Sequence, residues 1–294
     1  ASFSGLGGNL GNVFNAGSLV FSGTSGLITV SSLTGLGRTT FASDVTVTGT
    51  IAGGTVTAGS LRAKLFTTSV ITGGAVTTGS LSVDSVSGGA VTVGGTADMK
   101  NVSGGSLYLN GLTASIGTLN GGALALGTSN VTTVSSGSSS GVISGSGSLV
   151  KIGAGSLTLA GANTFAGFLS VNEGALEAGS GALNGSGTLN VNGGTLRANN
   201  FKNQVVLNIG SGAASFSVLG GVLGNVSNAG SLSFTGQSGT ITLGSLSGAG
   251  STSFASNGVV SSGSITAGTV IANGTLSANI SGGSVSVGTL LISG

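Results

Sequence analysis

Cysteine, histidine, proline and tryptophan are missing from this chain, and charge is scarce: seven Lys or Arg and five Asp or Glu make up 4% of 294 residues. Each gap removes a class of chemistry. Without cysteine there are no disulfides and no thiolate metal sites, though this does not fix the compartment. Without histidine or cysteine the usual zinc sites cannot be built, and a serine nucleophile loses the base that most triads use. The net charge of +2 and the pI near 9.4 reflect rare acids rather than a basic surface. Arg38, Arg62, Lys64, Lys100, Lys151, Arg197 and Lys202 are scattered, whereas a nucleic-acid binder concentrates such residues in a patch or stripe; no nucleic-acid partner is expected. No apolar run approaches the roughly 18 residues of a membrane helix, so a membrane-spanning chain is not expected either. The chain opens at Ala1, without Met or a charged region leading into an apolar stretch, which reads as a mature piece or a fragment.

What is present is glycine, 61 residues against an average usage of about 7%, set among Val, Ile, Leu, Thr and Ser. A mean hydropathy of +0.56 argues against disorder, which needs low hydrophobicity or high charge. Collagen needs glycine at every third position and abundant proline, and neither occurs. Short β-branched and aliphatic runs between glycines imply β-structure with many tight turns. Lack of proline fits, because every strand residue keeps an N–H to donate.

The sequence repeats on two scales. Residues 1–43 match residues 214–256 at an offset of 213 with 30 identities and no gap. Among them, Ala1-Ser2-Phe3-Ser4 returns as Ala214-Ser215-Phe216-Ser217, and Asn15-Ala16-Gly17-Ser18-Leu19 as Asn228-Ala229-Gly230-Ser231-Leu232. Residues 1–213 thus form one long unit and 214–294 the start of the next, within one continuous solenoid over 1–294. At the short scale, the stretch from Gly53 to Leu61 recurs twenty residues later from Gly73 to Leu81, and Val171–Leu176 recurs as Val191–Leu196. Gly-Gly pairs at Gly88, Gly104 and Gly121 follow at steps of 15 to 17.

Between glycines, runs such as Ser106-Leu107-Tyr108-Leu109 and Thr188-Leu189-Asn190-Val191 alternate, which puts aliphatics on one strand face and polar residues on the other. Three or so such strands with glycine corners use about twenty residues. Stacked at ~4.8 Å per rung, roughly fifteen coils would make a rod about 70 Å long around an aliphatic interior. The fold class expected is therefore all-β, a parallel β-helix or solenoid with about 20 residues per coil. An outer-membrane barrel would show aromatic girdles, and a sandwich would not explain the twenty-residue register. The serine-rich tract Ser135–Gly141 is expected as a looping seam between two solenoid stretches.

One segment is more specific. Gly145-Ser146-Gly147-Ser148-Leu149-Val150-Lys151-Ile152-Gly153-Ala154-Gly155-Ser156-Leu157-Thr158-Leu159, continuing through Asn163, Phe165 and Gly167, resembles the autotransporter-associated β-strand repeat. That pattern reads approximately G-x-G-x-L-x-K-x-G-x-G-x-L-x-L-x-G-x-N-x-[YF]-x-G, and Val171–Leu176 is similar to its closing strand. The resemblance covers 30 to 40 residues closely. It implies a right-handed parallel β-helix in an exported bacterial protein, a surface passenger or adhesin, located extracellularly or at the outer membrane. The C-terminal membrane barrel of an autotransporter is not in this sequence.

No catalytic, cofactor-binding or metal site is expected, and no cofactor. The carboxylates are Asp44, Asp84, Asp98, Glu173 and Glu177. Glu173 and Glu177 share strand parity only if no corner intervenes, and Gly174 predicts one. Paired-carboxylate hydrolysis and clustered calcium ligands are therefore not supported. Lys151 is expected to point outward with its stem packed on neighbours. The Asn-x-Ser/Thr sequons at Asn101, Asn130, Asn184, Asn225, Asn273 and Asn279 are expected by chance in so serine-rich a chain. Asn in Asn-Gly corners (Asn110, Asn120, Asn192, Asn273) is expected in turns and in stacked amide ladders. Thr46/Thr48 and Thr55/Thr57 are too scattered for an ice-binding face. The function expected is a non-enzymatic, self-associating fibre or scaffold at the cell surface. The alternative is the stalk of an autotransporter-type adhesin whose binding region lies elsewhere, with cell-surface glycans or other cells as targets.

Overall fold

The computed structural model describes residues 1–4, 8–23, 28–42, 45–47, 50–52, 55–62, 70–184, 187–199, 205–217, 221–236, 240–255 and 259–291. The chain divides into two compact units, Ala1–Ser148 and Leu149–Gly294. Each is a parallel β-solenoid, and no helix occurs among the described residues. Coils number about 13, roughly 18 residues apart.

In the first unit the register follows the short repeats. Thr55 pairs with Ala75 and Leu61 with Leu81, a step of 20. Ala75 then pairs with Ala90, a step of 15, Ala90 with Ser106, a step of 16, and Ser106 with Ala123, a step of 17. The expected coil of twenty is thus too long through the middle of this unit, where corners are tighter. The Gly-Gly pairs explain how. At Gly104-Gly105 the first glycine lies so close to the coil below that a Cβ would sit 2.4 Å from the Ser87 carbonyl oxygen. The second has φ +83°, a conformation that costs glycine little and other residues more. Gly89 and Gly122 adopt the same left-handed state at the equivalent corners. Ser106 N–H donates to Gly89 O at 2.8 Å and Ala123 N–H to Gly105 O at 2.9 Å, so corners as well as strands bond to the coil beneath.

After each corner a strand alternates inward and outward. In Ala97–Val102 the buried residues are Ala97, Met99 and then Val102, so alternation changes phase after Lys100 and the strand turns from one face to the next. Thr113–Leu119 does the same through Gly117. Columns of apolar side chains result, such as Val91, Leu107, Leu124 and Ile143, all buried. Fully burying each aliphatic contributes about 1.5–3 kcal/mol. The tract from Ser135, expected as a loop, is instead strand through Ser139. Thr118 pairs with Ser136 and Leu119 with Gly137, because small residues on a coil edge satisfy backbone pairing as well as any.

In the second unit Leu169 stacks on Leu149 and Leu189 on Leu169, and Val191 on Val171 at the expected step of 20. The 213-residue offset seen in the sequence reappears as geometry. Phe216, Phe234 and Phe254 stack with ring centroids 5.6 and 4.9 Å apart. Their counterparts Phe3, Phe21 and Phe41 stack at 5.3 and 4.9 Å in the first unit. Asn228 Nδ2 donates to Ser251 O and Thr252 Oγ1 while its Oδ1 accepts from Gly230 N–H. Asn15 makes the same three bonds with Arg38, Thr39 and Gly17. Differences between the copies fall mostly outside the core: exposed Phe14 and Leu36 become Ser227 and Ala249.

Close approach of coils makes a sharp expectation. A Cβ at Gly111 would lie 1.6 Å from the Gly95 carbonyl oxygen, whereas one at Gly187 meets nothing within 4 Å. Gly111→Ala should lower unfolding free energy by about 3 kcal/mol or more, through forced separation of coils. Gly187→Ala should stay within about 0.5 kcal/mol of the parent, with urea denaturation as the measurement.

Candidate functional site

The few charged side chains are placed by coil register. Arg197 pairs with Glu177 on the preceding coil, and Arg197 Nη1 reaches Glu177 Oε1 at 2.8 Å. Lys100 Nζ meets Asp84 Oδ1 at 2.5 Å, across a step of 16. Both pairs are exposed on at least one side, so each contributes at most about 1 kcal/mol. Their residues are far apart in sequence, and only the coil period brings them together. Asp98 is exposed. Asp44, Lys64 and Lys202 lie outside the described residues, as do Thr48 and the Gly53-Gly54 pair.

Lys151 overturns an expectation. Rather than pointing outward, it is 0% exposed, one of the largest fully buried side chains among the described residues. Parity explains its direction, because Lys151 alternates with Leu149 and stands in the column above Val171. Its ammonium reaches a corner lined with backbone carbonyls. Nζ donates to Ile152 O at 2.7 Å, to Gly153 O at 2.6 Å and, from the next coil, to Glu173 O at 3.2 Å. Three donors therefore meet three acceptors. Gly153 and Gly174 take φ of +69° and +65° to present those carbonyls, and a Cβ at Gly174 would lie 2.8 Å from Nζ. Burial pulls the Lys151 pKa below its ordinary 10.5, and the nearby Glu173 carboxylate pushes it the other way. Alternation with Leu149 was the sequence signal for this inward direction; a lysine's usual surface habit obscured it.

Gly174 forms the predicted corner between Glu173 and Glu177. Glu173 sits in the turn beside Lys151, and Glu177 in the strand Ala175–Ala178 facing Arg197. The two carboxylates serve different partners. An open hollow of about 420 Å³ includes Glu177, Arg197, Asn199, Ser215, Ser217 and Thr235 in its lining; its acid is already neutralised by its arginine. Among the described residues no group of three or more His, Cys, Asp or Glu is placed to hold a metal. No helix among them is long and apolar enough to cross a membrane.

Two further motif residues are interior. Asn163 and Phe165 are both fully buried, and Asn163 Nδ2 donates to Ala182 O at 3.0 Å. Of the sequons, Asn130 is 1% exposed and already committed, donating to Gly111 O and accepting from Thr132 Oγ1. Amide ladders do form: Asn192 Nδ2 donates to Asn172 Oδ1 and Asn208 Nδ2 to Asn190 Oδ1, each at 2.9 Å.

Residues 149–178 match the passenger-associated-transport-repeat family. The match begins at Leu149 and ends at Ala178, so it takes in the Lys151 corner, the buried Asn163 and Phe165, and the Gly174 turn. This passenger repeat, seated in a parallel solenoid, fits an autotransporter passenger-like β-helix repeat protein. No curated protein and no solved structure matches the chain. In physical terms the passenger repeat is a two-coil clamp: Leu149, Leu157, Leu169 and Leu176 form its interior, and Lys151 ties the corner of one coil to the next.

Replacing that lysine tests the clamp. Lys151→Met keeps the stem but strands three carbonyls, and should cost about 2 kcal/mol. Because the folded pKa is depressed, the unfolded chain binds more protons between that value and 10.5. Stability from this group should therefore rise as pH climbs through that window. Urea midpoints followed toward pH of about 10 should show this rise in the parent, and the rise should be smaller in Lys151→Met.

Proposed function

We propose that the chain is a non-catalytic scaffold segment of a passenger-type surface protein, built from stacked copies of a 213-residue unit and able to self-associate. The observation that carries this reading is the passenger repeat at 149–178, whose strands pair in parallel with one another and with the coil that follows in the second unit. Such a structure gains stability additively from each neighbouring coil, which suits a part whose task is to span distance. Composition supports a passive role. With 4% charged residues, and two of the acids held in ion pairs with their own chain, the surface is largely hydroxyl, amide and backbone. Little electrostatic repulsion then keeps copies apart. The passenger resemblance supports an extracellular or outer-membrane-associated location.

The passenger match also favours a second reading, a stalk that holds a separate binding region toward glycans or other cells. One experiment separates the two. Sedimentation velocity and electron microscopy across a range of concentrations should show sedimentation coefficients that rise with concentration and particles longer than one chain. A constant, single-chain species at the highest concentration would remove self-association and leave the stalk.

A further inference from the structure

The scaffold role makes no use of the open hollow on the second unit, which follows the stack of coils. Thr158, Glu177, Arg197 and Ser215 line it as register partners on successive coils, and Ser217 and Thr235 carry it onward. The hollow owes nothing to a chain end, because the strands of Glu177, Arg197 and Ser215 each pair with a coil before and a coil after. From the coil of Thr158 to that of Thr235 it covers about 19 Å, at ~4.8 Å per rung. Its volume of about 420 Å³ falls within the range of small-ligand sites.

Only side chains are left to read a ligand there. The N–H groups of Asn199, Ser217 and Thr235 already donate to Ala178 O, Ala198 O and Phe216 O at 3.1, 3.0 and 2.8 Å, so no sheet edge is open to an added peptide strand. Charge is balanced, with Arg197 Nη1 on Glu177 Oε1 at 2.8 Å, which leaves no surplus cation for a phosphate backbone. Among the described residues, unspent donors lie beside unspent acceptors. Arg197 spends on Glu177 one of the five N–H donors of a guanidinium, and Glu177 keeps its second oxygen. Asn199 Oδ1 accepts from Ser217 Oγ at 3.2 Å, which leaves its Nδ2 to donate. Ser215 Oγ accepts from Ser233 Oγ at 3.0 Å and can still donate. A sugar hydroxyl is donor and acceptor at once, so it suits such neighbours. Small Ala178, Gly179 and Ala198 in the lining leave room for the C–H face of a ring.

We propose that this hollow is a cleft for a neutral, extended polysaccharide lying along the coil stack, its hydroxyls paired with Glu177, Arg197, Asn199, Ser215 and Ser217. The chain must be extended because the polar groups recur in a straight ladder, one set per rung. It must be neutral because an acidic sugar would meet the Glu177 carboxylate. Binding here depends neither on self-association nor on the 213-residue repeat.

Calorimetric titration of the intact chain with cellohexaose and chitohexaose, both neutral, extended and β-linked, tests the cleft. At least one should bind saturably with a Kd below about 1 mM. Coiled, α-linked maltohexaose and acidic hexagalacturonate should bind at least about 10-fold more weakly. Arg197→Met should weaken binding about 10-fold or more, as a hydrogen bond to a charged group is lost. Ser217→Trp, which fills the cleft from an exposed position, should abolish it. Lys100→Met removes an ion pair of the first unit and should leave the affinity unchanged, with thermal melting to confirm that each variant folds.

Absence of binding by both β-linked sugars, or affinity unmoved in folded Arg197→Met and Ser217→Trp, would overturn the assignment. So would tighter binding of hexagalacturonate, or equal binding of maltohexaose, whose coil cannot follow a straight ladder. Sedimentation reads self-association separately, so the cleft and the scaffold can each fail without the other.

Discussion

Parallel hydrogen bonding between successive coils is the constraint on which everything else in this protein depends. It holds equivalent residues of neighbouring coils at one rung spacing, about 4.8 Å, so whatever a position contains is stacked on the same position one coil away. Leucine falls on leucine from Leu149 through Leu189, phenylalanine on phenylalanine from Phe216 to Phe254, and asparagine on asparagine at Asn172 and Asn192. Corners must obey the same spacing. That is why backbone approaches backbone where glycine stands, as with Gly88 against Thr72 O and Gly104 against Ser87 O.

A stack of this kind carries its own template. Each coil presents to the next a row of donors and acceptors and a matching row of side chains, and stability accumulates as nearest-neighbour terms. Such an architecture has little need of a separate binding pocket to recognise more of itself. It also needs little charge. Ion pairs such as Glu177–Arg197 add slightly to a register that backbone and core have already set. The low charge of the surface and the repeated internal surfaces are consistent with the scaffold role proposed above.

The passenger repeat takes on a physical meaning in this frame. Its lysine is a corner bolt: Lys151 replaces the water that would otherwise solvate three carbonyls, two on its own coil and one on the next. Unpaired buried carbonyls are costly, and two stacked tight turns, each with one left-handed glycine, Gly153 and Gly174, create several at once. A long flexible cation can satisfy them from inside. The motif spacing from Lys151 to Gly153 and the closing Gly174 is the spacing that forms this cage, so the segment marks architecture.

How much of this was legible in the chain can be judged residue by residue. Alternation in runs such as Ser106–Leu109 disclosed strands, and the twenty-residue echo of Val171–Leu176 in Val191–Leu196 disclosed parallel coils, because period two and a fixed step leave few other folds open. The corner at Gly174 was legible too, since glycine there separates two carboxylates on what would otherwise be one strand. Other features arise only when distant residues meet. The shorter coils between Ala75 and Ala123, the strand through Ser139, the pairing of Lys100 with Asp84 and the burial of Lys151 depend on which coil lies beneath which. Sequence by itself determined the periodicity, the apolar interior and the 213-residue repeat, because these are properties of residue order. Tertiary structure alone decided where each polar group finds its partner, because that is settled by contact between coils, and a buried lysine differs from an exposed one only in what surrounds it.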